Sequence, residues 1–205
     1  ENVERCGGTA VMVQDRWGDP VDPEKVAEAI ETHSDAKDLA FVHAETSTGV
    51  RSDAERLCGM AKSAGMLSIV DAVTSLAGID LQVDAWGADV VYSGTQKCLS
   101  SLPGIAPITF SADAVEMIAT RKRKVQSWFL DMNLIMGYWG EGDKRAYHHT
   151  APVNAIYALH EALLMLEEEG LQASFARHKA NHLVLTKGLS ELGLTLAVSE
   201  PWRLP

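Results

Sequence analysis

The sequence predicts an α/β fold with a largely parallel sheet covered by helices. Apolar, β-branched runs alternate with segments of helical periodicity, in a β-α-β-α-β order, over the first 71 residues. Three runs end in polar, chemistry-bearing residues. Leu39–Val42 leads into Thr46, Met66–Asp71 ends on its own acid, and Val90–Tyr92 breaks into Ser93-Gly94-Thr95-Gln96 and a lone lysine, Lys97. In open α/β sheets ligands bind beyond the carboxyl ends of the strands, so these ends mark one candidate site. No GxGxxG opens any of the helices, which disfavours a dinucleotide-binding domain.

Taken in order, Thr9–Gln14 is a strand candidate and Trp17-Gly18-Asp19-Pro20 a turn. Asp22 caps a helix with Pro23 in its first turn; it runs to about His33, with Val26, Ala29 and Ile30 on one face. Leu39–His43 is the next strand. Ser52 and Glu55 read as a capping box for a helix whose residues Ala54, Leu57, Cys58, Ala61 and Ala64 recur at helical spacing, and Gly65 ends it. Met66–Asp71 follows as a strand, and Val83–Asp89 bridges to the strand before Lys97. Ala106–Phe110 is a further strand, with a helix over Ala112–Thr120 behind it. Gln126–Tyr147 is rich in Trp, Tyr, Met and Gly and reads as an apolar subunit surface rather than a substrate wall. Ala151–Glu169 is a long helix with Ala155, Leu159, Ala162, Leu163 and Leu166 on one face, stopped at Gly170. A second helix runs from about Leu171 to Leu192 and ends at Gly193, before a last strand over Leu194–Val198.

Composition narrows the function classes. The chain has 205 residues, 46% of them hydrophobic, which is enough for a sizeable core. A net charge of −10 argues against a general nucleic-acid binder, and the single basic run Arg121–Lys124 reads as a solvated face or subunit contact. No apolar run is long enough to span a membrane, and no signal peptide opens the chain. Cys6, Cys58 and Cys98 have no metal-like spacing and read as reduced thiols of a cytoplasmic protein, with Cys98 a packing residue.

The three strand ends combine an amine (Lys97), a carboxylate (Asp71) and a set of hydroxyls around Thr46. That is the donor set a pyridoxal 5'-phosphate (PLP) site needs. The amine forms a Schiff base, and the carboxylate pairs with the protonated ring nitrogen so that the ring withdraws electrons. A free lysine amine has a pKa of about 10.4, so desolvation and Schiff-base formation are what make Lys97 usable as a base. Plainer readings stand beside these: Lys97 as a surface lysine, Asp71 as a cap for the turn at Thr74-Ser75, Thr46 as turn chemistry.

HAETSTGV (43–50), VDAVTSLAG (70–78), YSGTQK (92–97) and AYHHTAPV (146–153), in that order, resemble the alanine–glyoxylate/serine–pyruvate aminotransferase family of class V, fold-type I PLP enzymes. Thr46, Asp71 and Lys97 are 25 and 26 residues apart, similar to the family's spacing. The resemblance implies a mostly parallel mixed sheet sandwiched by helices, with the 106–110 strand antiparallel. It also implies a PLP-binding large domain over 1–150, and linking helices with the beginning of a small C-terminal α+β domain over 151–205. Lys97 would hold PLP and move the substrate's α-proton; Asp71 would meet the ring nitrogen, Thr46 the phenolic oxygen and Gln96 the phosphate. Tyr147 and Thr150 would reach the phosphate of a neighbouring subunit's PLP, which makes the enzyme a homodimer with a shared active site.

The expected reaction moves an amino group from alanine or serine to glyoxylate or pyruvate. A glycine-containing phosphate loop and a ring-stacking aromatic would lie upstream of this chain, and a substrate-carboxylate arginine downstream. The chain is therefore expected to be the central part of a longer enzyme that binds PLP poorly by itself. Two alternatives stay open: another class V PLP enzyme (a cysteine desulfurase or lyase, or a 2-aminoethylphosphonate transaminase) and a catalytically incompetent fragment. Gln96 cannot titrate, which suits static phosphate binding and counts against a desulfurase, where histidine occupies that position. Adjacent His148 and His149 are expected to point apart and, with no third ligand placed, not to hold zinc; His43 reads as structural.

Overall fold

The computed structural model describes residues 1–139 and 146–205. A short α1 (Asn2–Arg5) leads through an extended segment to α2 (Pro23–Thr32), then β1 (Asp38–Val42), a small hairpin β2 (Ala44–Glu45) and β3 (Val50–Arg51), α3 (Ala54–Ser63) and β4 (Leu67–Asp71). After a long connection come β5 (Val90–Tyr92), β6 (Ile108–Phe110), α4 (Ala112–Ala119), α5 (Met132–Trp139) and two long helices, α6 (Val153–Glu169) and α7 (Leu171–Glu191).

The main sheet has the order β1-β4-β5-β6. β1, β4 and β5 are parallel, and β6 runs antiparallel to β5, as the mixed sheet requires. Phe41, Val70 and Val91 are register partners, and side chains alternate between the two faces of a sheet. These three join Val26 of α2 and Leu57 and Cys58 of α3 in the buried core. The next row, Val42, Asp71 and Tyr92, therefore emerges on the opposite face from the core that α2 and α3 cover.

The helix signals act largely as the sequence implies. Asp22 caps α2, its carboxylate accepting the Glu24 N–H at 2.9 Å. Gly65 ends α3 and Gly193 ends α7, both at positive φ. Ala155, Leu159, Ala162 and Leu166 form the half-buried stripe of α6, whereas Leu163 is exposed.

Three expectations are corrected. Thr9–Gln14 is not a strand: Met12 is 73% exposed, no strand among the described residues pairs with it, and the segment is held instead by Lys25 Nζ donating to the Gln14 carbonyl. The cap of α3 is Asp53, which accepts the Arg56 N–H, because Ser52 is spent elsewhere, buried and accepting the Val21 N–H at 3.2 Å. Leu194–Val198 forms no strand. Beyond it Arg203 makes an isolated antiparallel bridge to Val50, and Leu204 N–H donates to the Gly49 carbonyl. Helix α5 falls within the aromatic segment that the sequence left without an element.

His43 belongs to the core, as expected. It is 3% exposed, lies edge-on to Trp86 at 5.2 Å, and its main chain is clamped by the Asp71 carbonyl and the Ser52 N–H. Burial, helped by the positive charge of Arg51, pushes its pKa down to about 4 from 6.5. The folded state thus binds this proton more weakly than the unfolded chain, so the stabilisation is present above pH 6.5 and is lost as pH falls toward 4. Urea unfolding of the full-length protein should lose about 2 kcal/mol between pH 7 and pH 4.5 through this group, and His43→Leu should remove that component.

Candidate active site at the carboxyl ends of the parallel strands

Register brings the candidate residues to one edge. Asp71 pairs with Val42 on one side and Tyr92 on the other, so β1, β4 and β5 all finish in the same row. Both oxygens of the half-buried Asp71 carboxylate are engaged. Oδ1 accepts the Val73 N–H at 2.9 Å, and Oδ2 accepts the Tyr92 hydroxyl at 2.7 Å. Burial, followed by donation to Asp71 and the adjacent negative charge, pushes the Tyr92 hydroxyl up to about 12, so it stays a donor across the neutral range.

The three loops beyond the strands are tied together through Thr74. Its hydroxyl is hydrogen-bonded to the Thr46 hydroxyl, and its carbonyl accepts the Cys98 thiol at 3.3 Å. Cys98 directly follows Lys97. Burial raises the Cys98 thiol, partly offset by the nearby Arg177 and Lys97 cations, so this is a packing thiol and not an activated nucleophile.

The lysine loop is rigidly folded. Thr95 is fully buried, its hydroxyl donating to the Leu102 carbonyl and reaching the Ile105 carbonyl at 3.3 Å. Ser100, in the left-handed region at φ 56°, donates its N–H to the Lys97 carbonyl at 2.9 Å. Lys97 is half-buried, and its ammonium makes no hydrogen bond or ion pair among the described residues. Gln96 is exposed and folds back over Gly94, where a Cβ would lie 2.8 Å from its Oε1.

Among the described residues, no hydrogen bond brings Tyr147 or Thr150 to this edge. They are exposed and hydrogen-bonded to each other at 2.6 Å, with Tyr147 edge-on to Tyr138. His148 and His149 do not point apart: their Nδ1 atoms meet at 2.7 Å. His148 Nε2 lies 3.1 Å from the Trp128 carbonyl, which requires Nε2–H as donor. In a neutral His148 ring, Nδ1 is then the acceptor and His149 Nδ1–H the donor. A cleft of about 460 Å³ opens elsewhere, at the amino ends of the strands, lined by Met66, Leu67, Asp89 and Ser111 among others.

The Aminotransferase class-V family profile matches residues 2–202. The chain is a member of the class-V aminotransferase family. It is 33% identical, over its whole length and 53% of the relative, to the (S)-ureidoglycine–glyoxylate transaminase of Bacillus subtilis (strain 168). It is 40% identical to the alanine–glyoxylate aminotransferase of Oryctolagus cuniculus, over 89% of this chain and 47% of the relative. The crystal structure of alanine–glyoxylate aminotransferase from Nostoc sp. superposes with a TM-score of 0.93 at 44% identity, covering 98% of this chain and 53% of that one. The mixed, mostly parallel sheet flanked by helices is thus that of the fold-type I aminotransferases. The chain spans about half the length of the curated relatives it matches.

Class-V aminotransferases are PLP-dependent, and the residues at the strand edge fit that group. An amine without a partner among the described residues, a carboxylate anchored at both oxygens, hydroxyls and an exposed amide lie at three adjoining strand ends. Sequence reasoning missed two members, Tyr92 and Thr74. The signal for Tyr92 was available only as a hydroxyl at the last position of a strand beside the one ending in Asp71.

Gly78 leaves room for the lysine loop to pack closely against it. A Cβ there would sit 2.6 Å from Cys98 Sγ and 3.3 Å from Cys98 Cβ. Gly78→Ala should destabilise the full-length protein by roughly 1–3 kcal/mol, as overpacking does. Adding Cys98→Ala removes the clashing sulfur and should restore most of the loss, as read by the denaturation midpoints of the two single variants and the double variant.

Proposed function

We propose that the full-length protein is a PLP-dependent aminotransferase that transfers an amino group from a small amino acid to glyoxylate or pyruvate. The observation that carries this is the strand-edge constellation itself: Asp71 and the Lys97 loop on adjoining strands, with Thr46 tied to the Lys97 loop through Thr74. PLP, when bound, supplies an electrophilic carbon for the amine and a ring that draws charge from the substrate's α-carbon.

Lys97 would anchor the coenzyme and could then carry the α-proton on its Nζ. Asp71, held at both oxygens, would meet the ring nitrogen and favour its protonated form. Thr46 would face the phenolic oxygen, and Gln96 would bind the phosphate as a neutral donor. Tyr147 and Thr150 would serve the site of a second copy, which suits an exposed couple that, among the described residues, bonds to each other and not to its own strand edge. Exposed Trp128, Phe129, Leu130 and Trp139 suit the interface of such a homodimer. Three free cysteines fit a reducing compartment, the cytoplasm.

The relatives divide over the donor. Glyoxylate appears in the names of both, whereas one takes ureidoglycine and the other alanine. Ureidoglycine is therefore the second donor to test. The experiment is the visible absorption of the full-length protein with PLP, before and after L-alanine, L-serine or ureidoglycine, without oxo acid. Loss of the coenzyme band with one of these identifies the donor, and its return on adding glyoxylate identifies the acceptor. A band that persists with all three would overturn transamination of these donors in favour of lyase chemistry. Lys97→Ala should lower turnover by about 10³-fold or more, and Asp71→Asn by at least about 10²-fold with some PLP still bound.

A further inference from the structure

We propose that Tyr92 is a positioning residue for Asp71, its hydroxyl fixing the carboxylate that the coenzyme's ring nitrogen meets. This rests on the reading of the strand edge as the PLP site. The two side chains are register partners on adjacent parallel strands, so they emerge on the same face of the sheet. The Tyr92 hydroxyl donates to Asp71 Oδ2 at 2.7 Å, while Asp71's own loop holds Oδ1 through the Val73 N–H. A carboxylate gripped by one oxygen alone rotates about its last bond. Gripped from two strands, it has one plane, and each oxygen keeps lone-pair capacity for a cationic donor.

The tyrosine is itself fixed. On the rung beyond it, Ala72 N–H donates to the Tyr92 carbonyl at 2.8 Å, and the buried Ser93 hydroxyl returns a bond to the Ala72 carbonyl at 3.0 Å. The phenol's raised pKa keeps the proton on the hydroxyl at working pH, so the bond to Asp71 always runs from tyrosine to carboxylate. An ionised acceptor makes this a charge-assisted bond, of the stronger class. Val73 N–H is supplied by the main chain and survives any substitution but proline; the Tyr92 bond is the one that a side chain controls.

The test compares full-length wild type, Tyr92→Phe, Asp71→Asn and the double variant. PLP is titrated into each coenzyme-free protein, and the dissociation constant and the coenzyme absorption band are read. Thermal melting of the coenzyme-free proteins checks the fold, since Tyr92→Phe removes one oxygen and keeps the ring. Tyr92→Phe should weaken PLP binding by about tenfold and shift the band. In the Asp71→Asn background the same change should cost less than about twofold, because the hydroxyl acts through the carboxylate. An unchanged constant and band in Tyr92→Phe, or an effect undiminished in the Asp71→Asn background, would overturn the positioning role while leaving the coenzyme site standing. A wild type that takes up no PLP would overturn the coenzyme site, and this inference with it.

Discussion

Everything at the candidate site depends on the parallel register of β1, β4 and β5. Parallel pairing brings the carboxyl ends of three strands, separated in sequence by helices and long connections, to one edge. Register then decides which residues stand side by side there. A slip of one residue would turn Asp71 toward the face covered by α2 and α3 and bring Val70 out, exchanging a buried apolar contact for a buried charge. The hydrophobic row Phe41–Val70–Val91 therefore specifies the position of the catalytic candidates in the next row as firmly as it stabilises the sheet.

The second constraint is polar and local. The loops beyond the strands hold their shape through hydrogen bonds rather than apolar packing. Thr95 turns the lysine loop back on itself, Thr74 bonds to both neighbouring loops, and Ser93 bridges β5 to Ala72. Ala77 and Ser100 occupy the left-handed region without being glycine, which costs energy that surrounding bonds offset. For Ala77 the surrounding bond comes from far away: the fully buried Ser174 of α7 donates to its carbonyl at 2.8 Å. The second long helix is thus fastened to the turn that follows Asp71. A site built this way is ordered before a ligand arrives, which lowers the cost of holding reacting groups in line.

The carboxyl-terminal part is built differently. α6 and α7 touch one another and present much apolar surface, including Tyr157, Met165 and Val184. Trp128 stacks on His148 at 4.1 Å, so the aromatic segment and the YHHT segment form one aromatic cluster. Tyr147 and Thr150 sit at its outer side, turned to each other.

Much of this was legible in the sequence. The strands ending at Val42, Asp71 and Tyr92, the Asp22 cap and the glycine stops could be read because each follows from local chemistry: β-branched runs, a carboxylate before a proline, a backbone that must turn left-handed. The donor set of Lys97, Asp71 and Thr46 was legible for the same reason, as residue types at strand ends. What the sequence could not fix was whether an apolar run finds a partner. Thr9–Gln14 and Leu194–Val198 read as strands and are not, since a strand is stabilised by a neighbour that no local pattern encodes. Nor could it reveal that Ser52 is spent on Val21, leaving Asp53 to cap, or that His148 and His149 face each other. The bond between Tyr92 and Asp71 belongs to the tertiary structure alone. The sequence determined which groups stand at the strand ends; only the pairing of the strands decided which of them touch, because hydrogen bonds between residues 21 apart depend on register and not on composition.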